Sequence, residues 1–157
     1  MHPFPHHYSV QAHGTSADDV MLRTPGVSPL RTTTPAQFGG RGDLWSPETL
    51  FVAAVADCFI LTFRAVAAAS RVPWISLECD ASATLDRIER VTQFTACHLH
   101  ARLRVPDDAD QAQARRLLEK AEASCLVTNS LKCATTLDAD VEVMAEGEPA
   151  AAWHQVD

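Results

Sequence analysis

Residues 46–70 read SPETLFVAAVADCFILTFRAVAAAS, and this stretch decides the fold. Ser46 suits a helix N-cap, Pro47 the first helical position, and Glu48 puts an acid where the helix dipole favours one. The residues that follow are apolar on nearly every face. Such a helix must be covered by a sheet and by other helices or a second subunit. Its middle is odd, because Asp57 and Cys58 stand side by side in the most apolar segment of the chain.

Pro73 ends the helical pattern, and WISLECDASATL then alternates with period two. Ile75, Leu77, Cys79, Ala81, Ala83 and Leu85 are expected to face inward. After a turn near DRIERV, residues 95–105 alternate again, with Cys97, Leu99, Ala101, Leu103 and Val105 inward and His98, His100, Arg102 and Arg104 outward. A second helix is expected from PDDADQAQARRLLEKAEASC, capped by Asp107 or Asp108, with Leu117, Leu118 and Ala121 on one side. A last strand follows in TTLDADVEVMA, with Leu137, Ala139, Val141 and Val143 inward. Upstream, strands are expected at residues 7–12 and 20–23. Residues 24–47, rich in Pro, Gly and Thr, read as a long irregular connection. The order predicts an α+β domain with helices packed on an antiparallel sheet.

The 157 residues are expected to form one domain, residues 1–157, with an irregular tail from about 146. A hydrophobic content of 46 % is that of a globular chain. The formal charge of −7 argues against sequence-independent nucleic-acid binding. Asp57 and Arg64 interrupt the longest apolar run, so no membrane span is expected. MHPFPHHYSV has neither a basic start nor an apolar stretch of the secretory kind, and the expected location is cytoplasmic. His98 and His100 share a strand face, but no third ligand at a telling spacing joins them, so neither a metal nor a cofactor is expected.

Five cysteines without a CxxC pair do not make a secreted disulfide framework. Cys79 and Cys97 fall on apolar strand faces and read as structural, and Cys133 reads as packing. Cys58 and Cys125 differ, because each belongs to a helix or its end and lies beside polar residues. A thiol becomes a good nucleophile when a cation or a helix N-terminus stabilises its thiolate. Cys58 is mid-helix, so the stabilising charge must come from outside that helix. Arg23, Arg31 and Arg41, all upstream, are the candidates.

SPETLFVAAVADCF followed by EKAEASCLVTNSL resembles the paired signature of the OsmC/Ohr superfamily, the osmotically inducible and organic hydroperoxide resistance proteins. Ser46, Pro47, Glu48, Cys58 and Phe59 match the first motif; Lys120, Ala121, Cys125, Asn129 and Ser130 match the second. Asp57 departs from it, standing where a small residue is usual. The resemblance implies antiparallel sheets packed around long buried helices in an intertwined homodimer. It also implies thiol peroxidase activity toward organic hydroperoxides, recycled by an external dithiol of the lipoyl-protein or thioredoxin type. Carried over, Cys58 is the peroxidatic thiolate and Cys125 the resolving thiol. Glu48 matches the acid that positions an arginine over the thiolate, with Arg31 as the chosen arginine and Arg23 and Arg41 open. A non-catalytic relative binding an apolar small molecule between the helices is the alternative. Glu48 and Cys58 are ten residues apart, about 15 Å along a straight helix, so Glu48 is expected to serve the Cys58 of a second copy or to bend away.

Overall fold

A computed structural model describes residues 3–144. The chain divides into two units, Met1–Phe51 and Val52–Asp157. The tail expected to be irregular lies outside the described residues.

In the first unit, β1 (Gln11–His13), β2 (Val20–Arg23) and β3 (Leu30–Thr32) form an antiparallel sheet in that order. The first strand is shorter and later than expected, and the connection at 24–47 is not wholly irregular. It holds β3 and a 3-10 turn at Ala36–Phe38. The three residues of β3 are too few for alternation to show. Thr33 N–H donates to the Trp45 carbonyl at 2.9 Å, tying the end of this segment back to β3. Gly40 is obligatory here, since a Cβ would fall 1.6 Å from the Thr34 carbonyl oxygen.

The helix forms where its cap signals put it, as α1 (Pro47–Ser70). Thr49 N–H donates to Ser46 Oγ at 3.2 Å, and Ser46 N–H donates to Thr49 Oγ1 at 2.8 Å. This reciprocal pair is a capping box with threonine in the place of the usual acid. Further along, Val55, Phe59, Phe63 and Ala67, spaced four apart, are the buried residues of the helix.

Those four residues pack into the core of the second unit. There β4 (Ser76–Ile88) and β5 (Val91–Pro106) pair as an antiparallel hairpin, followed by α2 (Gln111–Ala123) and β6 (Ala134–Met144). Leu99, Ala101, Leu103 and Val105 of β5 meet Ala114, Leu117, Leu118 and Ala121 of α2 in the same cluster. Phe63 meets Trp74 edge to face, 5.5 Å between ring centroids. The hairpin turns on Glu89 and Arg90, with φ of 47° and 71°. Two consecutive positive values fit the twist of a two-residue hairpin loop.

The alternation of β5 is as read, from Cys97 to Val105. On β4 it holds from Leu77 to Ala83, but Ile75 and Leu85 are exposed, Ile75 because it precedes the strand and Leu85 because it follows a register shift after Thr84. The cap of α2 is Asp110, whose Oδ1 accepts from Gln113 N–H at 3.0 Å, not Asp107 or Asp108. Those two lie in the turn closed by Ala109 N–H on the Pro106 carbonyl. Strand β6 runs parallel to β5, which makes the second sheet mixed, in the order β4-β5-β6. The reason is topological: α2 carries the chain back across the sheet, as a parallel connection requires.

Away from the core, Arg102 bridges Glu78 and Asp80, and Arg104 bridges Glu78 and Glu142. His98 and His100 pair with Asp138 and Asp140 at 3.3 and 2.8 Å. Among the described residues no cluster of three or more His, Cys, Asp or Glu side chains could hold a metal ion.

Helix α1 departs from its reading in one respect. It is not covered all round, for Ala54, Asp57, Leu61, Ala65 and Ala68 are exposed. By length and composition it could cross a membrane despite Asp57 and Arg64. Its four buried side chains are those of a core helix.

Candidate thiol site

The segment after α2 brings peptide donors to a mid-helix thiol. The Cys125 carbonyl accepts from Asn129 N–H at 3.0 Å and from the Thr128 hydroxyl at 3.2 Å. Ser130 N–H donates to the Val127 carbonyl at 2.9 Å, and a 3-10 turn forms at Thr128–Ser130. Cys125 therefore opens a fresh turn of helix, and the first N–H groups of such a turn have no partner within it. Those of Leu126 and Val127 donate to the Cys58 sulfur. They carry the partial positive charge of a helix N-terminus.

Burial pushes the Cys58 thiol up, but the donors around it prevail. The N–H of Val127, the Cys125 thiol, the Thr62 hydroxyl and the N–H of Leu126 together bring it below the ordinary thiol value. The Thr62 oxygen lies 3.9 Å from the sulfur. Cys125 moves the other way. Burial raises it most, and the facing Cys58 raises it further, against hydrogen bonds from Thr128. Protons therefore leave Cys58 first, and Cys125 remains the donor to its thiolate.

The remaining thiols are unlike these two. Burial, with Asp80 nearby, pushes Cys79 up to about 12. Burial and the neighbouring Cys133 push Cys97 up to about 11. All five cysteines are free.

Of the four residues singled out from the sequence, Cys58 and Cys125 come together in the second unit. Arg31 lies on β3, largely exposed, with Nε 3.8 Å from Asp19. Arg41 holds the same carboxylate more closely, at 3.0 Å, and keeps it below the usual carboxylate range. Arg23 ends β2 on its exposed side. Glu48 lines a cavity of about 510 Å³ within the first unit, walled by Val20, Leu22, Pro35, Phe38 and Leu50. One of its carboxylate oxygens is buried without a hydrogen-bond partner. Sequence reasoning missed Thr62 and the Leu126 and Val127 amides. Two of these three are backbone groups, which any residue type supplies, so no side-chain signature marked them.

A mid-helix thiol facing a second thiol at the end of a crossover helix, on an α+β frame, defines a dithiol protein of the OsmC type. The chain matches the OsmC-like protein family over residues 40–140 and belongs to it. Among curated proteins it is 23 % identical over 147 residues to the uncharacterized protein YmaD of Bacillus subtilis, covering 91 % of this chain and 98 % of that one. An OsmC-like protein of unknown function from Vibrio cholerae superposes with a TM-score of 0.75 at 18 % identity, over 89 % of this chain and all (100 %) of that one. An organic hydroperoxide resistance protein OsmC from Legionella pneumophila superposes with a TM-score of 0.71 at 24 % identity, over 90 % and 100 % of the two chains.

Proposed function

We propose that this protein is a thiol-dependent peroxidase that reduces organic hydroperoxides to alcohols. The observation that carries the reading is that two thiols face each other, with the Thr62 hydroxyl and the Leu126 and Val127 N–H groups around Cys58 and burial dominating at Cys125. The Cys58 thiolate attacks the O–O bond, releasing an alcohol and leaving a sulfenic acid. Attack by Cys125 then expels water and closes a Cys58–Cys125 disulfide. An external dithiol, of the lipoyl-protein or thioredoxin type, reopens it.

Apolar surroundings support an organic substrate. Leu61, 48 % exposed, lies one turn after Cys58 on α1, and Leu126, 76 % exposed, follows Cys125. Such surfaces favour an alkyl or aryl hydroperoxide over hydrogen peroxide.

Glu48 and Arg31 take the roles that the resemblance implies, the acid positioning the arginine and the arginine attracting the thiolate. The unpartnered Glu48 oxygen supports this, because a buried carboxylate without a donor is costly. Arg31 is also the looser of the two arginines on Asp19. A homodimer in which each Glu48 serves the Cys58 of the other copy fits the exposed face of α1. A soluble, cytoplasmic enzyme is the corresponding location.

The cavity around Glu48 favours a second reading, a non-catalytic protein that binds an apolar small molecule. Steady-state consumption of cumene hydroperoxide with a dithiol decides between them. The peroxidase turns over, and faster than with hydrogen peroxide. A protein that binds an apolar dye but leaves the peroxide untouched is the binder.

A further inference from the structure

The sheet brings a second pair of thiols together. Cys97 Sγ and Cys133 Sγ lie 3.6 Å apart although 36 positions separate them in the chain. The register shows how. Ala96 pairs with Ala134 and Cys97 with Thr135, so Cys133 stands just before β6, diagonally across from Cys97 and in the same alternation phase. Diagonal neighbours on adjacent strands are within reach of each other. A disulfide bond is about 2.05 Å long, so the two sulfurs need to approach by only about 1.6 Å.

We propose that Cys97 and Cys133 form a second dithiol site, which takes low-molecular-weight disulfides and closes to a Cys97–Cys133 bond. The difference in burial assigns the order. Cys133 is half-buried and can be reached, whereas Cys97 is 4 % exposed. The Cys133 thiolate attacks one sulfur of R–S–S–R, forming Cys133–S–S–R and releasing RS⁻, which takes up the proton that Cys133 lost. Cys97 gives up its proton and displaces the second RS⁻ from Cys133. Two protein thiols are oxidised and one small disulfide is reduced to two RSH. Approach to Cys133 draws Cys97 into a reaction that its own burial would forbid.

The bond would staple the start of β6 to β5. The segment it closes contains α2 and the turn from Cys125 to Ser130, which supplies the donors to the Cys58 sulfur. The site does not depend on peroxide chemistry at Cys58, and its test removes that chemistry.

A Cys58→Ser/Cys125→Ser chain retains three of the five cysteines. Incubated with hydroxyethyl disulfide, it is expected to fall from three titratable thiols to one. Each cysteine lies on its own tryptic peptide, so a non-reducing map should join those holding Cys97 and Cys133. The same map on the unsubstituted chain covers the case in which the double variant folds poorly, and must show the same link. Cys133→Ser should leave Cys97 reduced. A lasting mixed disulfide on Cys133 beside free Cys97, a bond to Cys79, or three intact thiols would each overturn the proposal.

Discussion

The second unit holds two thiol pairs under opposite electrostatics. Cys58 and Cys125 meet where a turn of helix begins, and the peptide donors there favour one thiolate. Cys97 and Cys133 meet across a strand pairing, where burial and mutual repulsion hold the Cys97 proton on. The difference between the pairs is whether N–H groups face a sulfur and lower its pKa, as they do at Cys58, or burial alone dominates, as it does at Cys97.

The largest effects should come from replacing the thiols themselves. Cys58→Ser is expected to reduce cumene hydroperoxide consumption to background. Cys125→Ser should allow one turnover and then accumulate sulfenic or sulfinic acid on Cys58, visible by mass spectrometry. Cys97→Ser and Cys133→Ser should turn over normally; equal losses in all four would erase the contrast.

Alkylation rate against pH probes the same difference directly. A thiolate forms as pH rises through the group's pKa, so Cys58 should be labelled first, at a pH below that of an ordinary thiol. Cys97 should respond only near 11 and Cys79 near 12. If Arg31 has the role proposed for it, Arg31→Ala should shift the Cys58 profile upward, because a thiolate that loses a stabilising cation forms at higher pH. An unchanged profile transfers that role to Arg23 or Arg41.

A single amide can be removed as well. Val127 has φ of −69°, which proline accepts, so Val127→Pro deletes its N–H with little backbone change. Alkylation of Cys58 at neutral pH should slow about tenfold, the size of one charge-assisted hydrogen bond. No slowing would deny the amide its part.

The smallest effect should not discriminate between the pairs. Asp110→Ala removes the cap of α2 and should cost about 1 kcal/mol in urea unfolding. Labelling of Cys58 relative to Cys97 should stay the same.

These contrasts follow how legible each region was. Helix α1 could be read because its cap residues and the apolar run that ends before Pro73 are written in side chains. The β5 alternation could be read for the same reason. Strand β3 could not, being three residues long, and the direction of β6 could not, because alternation is identical in parallel and antiparallel pairing. At the thiol site, context marks Cys58 and Cys125, and the side chains point to arginines for the charge that Cys58 requires. In the second unit peptide amides help to meet that need. Cys97 and Cys133 passed as packing because only the register of β6 on β5 brings them together.

The two-residue turn at Glu89 and Arg90 bears on the order in which the molecule is assembled. A hairpin closed by so short a loop loses little chain entropy, so β4 and β5 can find each other early. Strand β6 has no such neighbour in sequence; it must wait for α2 to cross the sheet. The Cys125 turn lies on that late crossover, while Cys58 lies on a helix made before it. Until the crossover is complete, Cys58 lacks its amide donors and should behave as an ordinary thiol. A chain still being synthesised would thus carry a muted nucleophile, and reactivity would mark the moment at which folding ends.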